Sequence, residues 1–367
     1  MSVPLFAIRP VLEPLFEEIA ARQNEVLRSG QYILGPEVEA FEAEFAAFIG
    51  VRHCVGVANG TDALTIALRA LGVGPGDEVV VPALTFYATA EAVVNAGATP
   101  VLCDVDPATF DMTAATAEPL IGPRTRALLP VHLYGNPAPM GELRELASAH
   151  GLRLLEDAAQ AAGARLDGRM AGALGDAATF SFFPSKNLGG FGDGGAIVTD
   201  DAEVAAIART LRFHGSEDKE LHTEVGYNSR LDEMQAAGLR VLLPHLADWT
   251  ESRRRVAAAY AEDGLGDAVR LPVETAGSES CYHLYVVRCP GRDGLAERLA
   301  AAGVGARAYY TIPLHRQPAL REFPARVSLS GVDSAAAESL ALPMGPALSD
   351  EQVAEASRAI REALAAG

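Results

Sequence analysis

Cysteine is scarce, with Cys54, Cys103, Cys281 and Cys289 the only four in the chain. None forms a CxxC pair and none stands with histidine at zinc spacing, so neither a disulfide framework nor a metal centre is expected. Cys54 and Cys103 lie in apolar, strand-like runs, and all four read as reduced core residues of a cytosolic protein. Long hydrophobic runs are missing too. No segment reaches the roughly 20 apolar residues of a membrane span. Met1 to Pro10 lacks the basic start and apolar stretch of a signal peptide, so the expected location is the cytoplasm. Basic runs are also absent. Thirty basic side chains against 48 acidic ones give a formal charge of -18, which repels nucleic acid and anionic lipid. An anionic substrate would have to be drawn in by a local pocket, against the global field. Solubility alone also accounts for the acidity.

What is present is an apolar share of 49% in 367 residues, enough for a large core and two domains. Val38, Phe41, Phe45, Phe48 and Ile49 recur at helical spacing behind Gly35-Pro36. After them, strand-like runs (53–58, 78–81, 100–105, 126–133 and 153–156) alternate with helical ones (62–71, 88–96 and 141–150). Strand-like runs at 178–183 and 196–199 precede a helix starting near Asp201. This alternation predicts βαβ units and an α/β fold with a mostly parallel central sheet between helices. From about residue 240 the pattern turns helical, with strand-like runs at 282–289 and 304–309 and a terminal helix from Asp350. A boundary near Leu242 to Trp249 divides a large domain, 1–242, from a smaller α/β C-terminal domain, 243–367.

Four constellations stand where strands run out. Ser181-Phe182-Phe183-Pro184-Ser185-Lys186 leads into a glycine-rich loop. A partly desolvated lysine there acts as an amine nucleophile, although a lysine in a flexible loop satisfies the same pattern. Glu156-Asp157-Ala158-Ala159-Gln160 ends an apolar strand, where a carboxylate suits a protonated pyridine nitrogen or, equally, a helix cap. Asn59-Gly60-Thr61-Asp62 opens a helix, as a phosphate cradle or an ordinary capped turn. Thr85-Phe86-Tyr87-Ala88-Thr89 offers an aromatic face for a planar cofactor or for the core. Together they supply the parts that pyridoxal 5'-phosphate requires: an amine, a ring-nitrogen partner, a phosphate cradle and a stacking face.

With these residues, the sequence resembles the sugar aminotransferases of the DegT/DnrJ/EryC1/StrS family, a branch of fold-type I aminotransferases. Tyr32-Ile33-Leu34-Gly35-Pro36-Glu37-Val38, Gly60-Thr61-Asp62-Ala63-Leu64, the Glu156–Gln160 run and Gly226-Tyr227-Asn228-Ser229-Arg230-Leu231 carry the resemblance along nearly the whole chain. It implies that Lys186 carries pyridoxal phosphate as a Schiff base and moves protons at the substrate carbon. Asp157 would bond the pyridinium nitrogen, Gln160 the ring hydroxyl, and Phe86 would stack on the ring. Gly60 and Thr61, with the Ser181 hydroxyl, would hold the phosphate. Asn228 would reach the phosphate of a neighbouring subunit, making the active unit a homodimer.

The implied reaction passes an amino group from L-glutamate to a keto sugar linked to a nucleoside diphosphate. The loop 184–189 with Phe191-Gly192-Asp193-Gly194-Gly195 resembles members that aminate C3 of dTDP-3-keto-6-deoxyhexoses. Members acting at C4 more often have His shortly before the lysine and Glu in the later stretch, where this chain has Ser185 and Asp193. Tyr310 and His315 are the candidate sugar contacts, and His315 reads as well as a structural histidine in a turn. Arg212 and His214, with Arg230, are candidates for the diphosphate or, alternatively, solvated helix-end charges. A C4 aminotransferase and a non-catalytic regulatory protein on the same fold are the alternatives. Lys186 and the missing basic DNA-binding element weigh against the latter.

Overall fold

Seven short strands form one sheet in the computed structural model, which describes residues 2–365. They are β1 (His53–Val57), β2 (Glu78–Pro82), β3 (Thr99–Cys103), β4 (Thr125–Leu128), β5 (Arg153–Asp157), β6 (Ala177–Ser181) and β7 (Gly195–Thr199). Their spatial order is β1-β7-β6-β5-β4-β2-β3. Only β7 runs against its neighbours, so six carboxyl ends share one edge. In β2, Val79 and Val81 pack with Leu68 and Val93 on one face. Val80 packs with Leu128 and Leu143 on the other. A strand covered on both sides reads as a continuous apolar run, because each side of its two-residue repeat meets a helix layer.

Helices α1 (Phe16–Ser29), α2 (Pro36–Ile49), α3 (Gly60–Ala70), α4 (Ala88–Asn95), α5 (Met140–His150), α6 (Ala202–Arg212) and α7 (Glu233–Leu242) belong to this part of the chain. Phe41 and Phe45 of α2 meet the edges of Phe180 and Phe182 at 5.0–5.4 Å between ring centroids. The Glu233 carboxylate caps α2 from the far end of the domain, accepting the amides of Gly35 (2.8 Å), Glu37 (2.9 Å) and Val38 (2.9 Å). These donors have no partner within the helix, and the carboxylate also meets the positive end of its dipole.

Beyond α7, helix α8 (Leu246–Glu262) leads to β8 (Tyr285–Arg288) and β9 (Ser339–Leu342), which pair antiparallel. Helices α9 (Arg292–Ala301), α10 (Ser330–Glu338) and α11 (Asp350–Ala365) complete this region. Tyr260, Tyr285, Leu295, Leu340 and Ile360 share an apolar cluster that also takes in Val3 from the other end of the chain.

Two expected strands come out differently. The 126–133 run pairs as a strand only to Leu128, because Pro130 has no N–H to give a ladder. The 304–309 run makes isolated bridges, Val304 to Val3 and Arg307 to Ala341. Helix α1 and strand β9 were not foreseen. Among the described residues, no helix is long and apolar enough to cross a membrane and no His/Cys/Asp/Glu cluster suits a metal. All four cysteines are free and buried.

Candidate active site

Strand β5 delivers Asp157 to the carboxyl edge, and the chain leaving β6 delivers Lys186. The lysine loop folds tightly on itself: the Lys186 amide donates to Phe183 O at 2.8 Å and the Gly190 amide to Phe182 O at 2.7 Å. A side chain on Gly189 would run into the Pro184 carbonyl. Lys186 is partly buried. Burial pushes its ammonium down to about 8, while the Asp157 carboxylate pulls the other way. Burial raises the Asp157 carboxyl above its usual range, opposed by the Thr89 hydroxyl, the Ala159 amide and the charge on Lys186. Thr89 Oγ1 donates to Asp157 Oδ2 at 2.8 Å, and Thr85 Oγ1 lies 2.9 Å from Thr89 Oγ1.

The preceding residue is arranged for a different purpose. Glu156 is fully buried. It accepts the amides of Gly172 and Leu174 at 2.7 Å each and of Gly175 at 2.5 Å. His132 Nε2 is 2.8 Å from it and donates, because His132 Nδ1 accepts the Ala138 amide at 3.0 Å. Four donors saturate Glu156, whereas Asp157 keeps lone pairs free for a further partner.

Gly60 opens α3 against the end of β6. A Cβ at Gly60 would stand 2.8 Å from the Ser181 Cβ, so only glycine allows this approach. Asn59 accepts the Asp62 amide at 2.8 Å. The amides of Gly60 and Thr61 find no acceptor among the described residues, which leaves a helix N-terminus with free donors beside the Ser181 hydroxyl. Gln160 Oε1 accepts the Tyr134 amide at 2.8 Å, and its Nε2 donates to the Tyr310 hydroxyl at 3.1 Å, leaving one N–H free. The Phe86 ring is 57% exposed, with its centroid 6.1 Å from that of Tyr310. Tyr310 is thus linked through Gln160 to the residues after Asp157.

The other expected contacts are dispersed. Arg212 requires a correction: it is buried, and its guanidinium pairs with Glu42 and donates to Gly56 O at 2.7 Å, so it is not free for a diphosphate. His214 is exposed at φ +63°, its amide tied to Tyr227 O. Asn228 is exposed, its backbone bridged to Phe213. His315 Nε2 is 3.2 Å from Asp333, and its buried Nδ1 has no partner. Burial pushes its imidazolium down. The Leu314 amide donates to Ala83 O at 2.9 Å, which holds this turn to the end of β2.

Thr89 and Tyr134 were missed as contributors. Thr89 stands in the Thr85–Thr89 run, one helical turn after Thr85, but only the aromatic face of that run was given a role. Tyr134 had no signal in the sequence, because what places it is contact across the fold.

The profile of the DegT/DnrJ/EryC1/StrS aminotransferase family matches residues 15–361. A "pleiotropic regulatory protein" of Geobacillus stearothermophilus is 49% identical over 298 residues, 80% of each chain. A dTDP-3-amino-3,4,6-trideoxy-α-D-glucose transaminase of Streptomyces venezuelae is 51% identical over 300 residues, 82% of this chain and 79% of that one. The crystal structure of S. venezuelae DesV in complex with a ketimine intermediate superposes with a TM-score of 0.95 at 48% identity, covering 98% of both chains. With a strand-end lysine, a buried carboxylate and an open helix N-terminus at one sheet edge, the chain belongs to the DegT/DnrJ/EryC1/StrS aminotransferase family.

Proposed function

We propose that this protein is a pyridoxal-phosphate-dependent aminotransferase. It passes an amino group from L-glutamate to a nucleotide-linked keto sugar, at C3 of a dTDP-3-keto-6-deoxyhexose. The observation that carries the reading is the juxtaposition of Lys186, its ammonium pushed down to about 8, with the buried and incompletely satisfied Asp157.

The residues suit the cofactor. The free amides of Gly60 and Thr61, with Ser181, would take the phosphate. Asp157 would take the protonated ring nitrogen, since a cation there favours the ionised form of a carboxylate that burial has raised. Gln160 has an N–H left for the ring hydroxyl, and Phe86 an open face for the ring. When bound, the pyridinium ring supplies an electron sink for the pair left when the substrate carbon loses its proton. Lys186 would take that proton from the donor's carbon in the first half of the cycle and would deliver a proton to the aminated sugar carbon in the second. An amine with a pKa of about 8 populates both of the forms this needs near neutral pH.

Asn228, exposed on its own subunit, would complete the phosphate site of a second copy, giving a homodimer with shared sites. Tyr310 and His315 would meet the sugar. The likeness to the S. venezuelae transaminase, named for a 3-amino sugar, supports C3.

The test is the visible spectrum of the cofactor-loaded protein before and after L-glutamate, followed by turnover of dTDP- and UDP-linked 3-keto and 4-keto sugars. A visible band that glutamate bleaches, and that Lys186→Ala lacks, is expected, with product aminated at C3. A protein that forms no band with added cofactor would overturn the enzyme reading in favour of a binding or regulatory role. Amination at C4 would overturn only the position.

A further inference from the structure

The residue after the lysine reaches a distant segment. Asn187 is buried, and its Nδ2 donates to Cys281 O at 3.0 Å. The remaining acceptor of that amide, Oδ1, lies 3.1 Å from His283 Nδ1. An acceptor there requires a donor, so His283 carries its proton on Nδ1. His283 is 5% exposed. Burial, helped by the charges of Lys186 and Arg253, keeps its imidazole neutral. The Cys281–His283 segment is itself fixed: the Cys281 amide donates to Gly135 O at 3.0 Å and Arg253 Nη1 to Tyr282 O at 3.0 Å. Lys186, Asn187 and Arg253 line one small cavity with Phe6 and Trp249.

We propose that Asn187 and His283 form a latch that positions Lys186, holding the lysine loop against the Cys281–His283 segment and excluding water from the ammonium. His283 is a positioning residue here and need not touch substrate. The inference deepens the aminotransferase reading, because it assumes that Lys186 is the working amine. The ionisable groups around the lysine are Asp157 and His283, whose charges couple to it, and Arg253, which lines the same cavity. With two of them unchanged, loss of the latch acts by admitting water, which moves a buried lysine back towards its ordinary range.

The chain has only two lysines, Lys186 and Lys219. Lys219 is exposed, its Nζ 5.1 Å from the Phe213 ring centre, and serves as an internal reference. The full chain without cofactor is reductively methylated with formaldehyde across a pH series, and labelling at each lysine is read by peptide mass. His283→Ala and His283→Gln should raise the Lys186 midpoint by about one pH unit, a tenfold smaller free-amine fraction below it. His283→Asn, whose amide reproduces a donor at the Nδ1 position, should restore the wild-type midpoint, and Lys219 should not change. An unmoved midpoint in the Gln variant, or an Asn variant that behaves like Gln, would overturn the latch. If the Ala variant does not fold, the contrast between Asn and Gln still decides. Labelling uses no cofactor, so a shifted midpoint without any visible band on adding pyridoxal phosphate would sink the aminotransferase reading and leave the latch standing. A band with an unmoved midpoint would do the reverse.

Discussion

The two edges of the central sheet use charge in opposite ways. At the amino ends of the strands, Arg126, Arg144 and Arg153, with Asp176, line a hollow of about 680 Å³. The three arginines are exposed, and among the described residues the only carboxylate within ion-pair distance of any of them is Asp77, 3.4 Å from Arg126. At the carboxyl ends a cavity of about 50 Å³ touches Lys186, lined also by Phe6, Trp249 and Arg253. Yet this is where burial displaces a lysine and an aspartate from their ordinary ionisation. Exposed charges are screened and interact weakly, whereas charges withdrawn from water respond strongly to whatever faces them. The larger hollow thus marks the amino edge, and the burial of ionisable groups marks the carboxyl edge.

The sharpest way to break this contrast is to remove charge at each edge. Lys186→Ala should lower aminotransfer by at least about 10²–10⁴-fold, the range of general acid–base help. Replacing Arg126, Arg144 and Arg153 together by alanine should leave turnover within about twofold and stability within roughly 1 kcal/mol, as expected of screened surface charges. Loss of turnover in the triple variant would mean that the large hollow matters to the reaction.

Within the carboxyl edge, neighbouring residues of β5 sharpen the distinction further. Asp157→Asn should lower turnover by about 10²-fold or more, through loss of the charge facing the ring nitrogen. It should leave the melting temperature unchanged or higher, because a poorly satisfied buried charge is gone. Glu156→Gln should do the reverse. An amide group would confront N–H donors now served by carboxylate oxygens, and breaking such a buried network costs about 3–5 kcal/mol. Thermal unfolding and steady-state kinetics on the same two variants separate the roles.

What the sequence made legible was local. The strands, Lys186 and Asp157 are marked by runs of neighbours: apolar residues up to the strand end, then a glycine-rich or acidic turn. Glu233 capping α2 across nearly 200 residues left no mark, nor did His283 bonding to Asn187. Arg212 was misread because a cation at a helix end looks the same in sequence whether it faces solvent or a half-buried carboxylate, here Glu42. Helix α1 was not expected although it packs on α7, because it carries only two fully buried residues, Ile19 and Val26.

A last expected effect tests burial without reference to catalysis. The Lys186 ammonium ionises near 8 in the folded protein, against 10.5 for an ordinary lysine. Below pH 8 it is charged both folded and unfolded, and the folded state bears the full penalty of withdrawing it from water. Between about 8 and 10.5 the unfolded chain binds more protons than the folded one, so this lysine makes stability rise with pH. Above that window it is neutral in both states and the penalty is gone. Cofactor-free wild type should therefore gain about 2–3 kcal/mol relative to Lys186→Met as pH rises through this window. Subtracting the variant removes the contribution of tyrosines and arginines that titrate nearby. Denaturant unfolding at pH 7.5, 9 and 10.5 measures the difference. A constant difference would show that water reaches the ammonium freely, and the contrast between the two edges of the sheet would then have to rest on Asp157 alone.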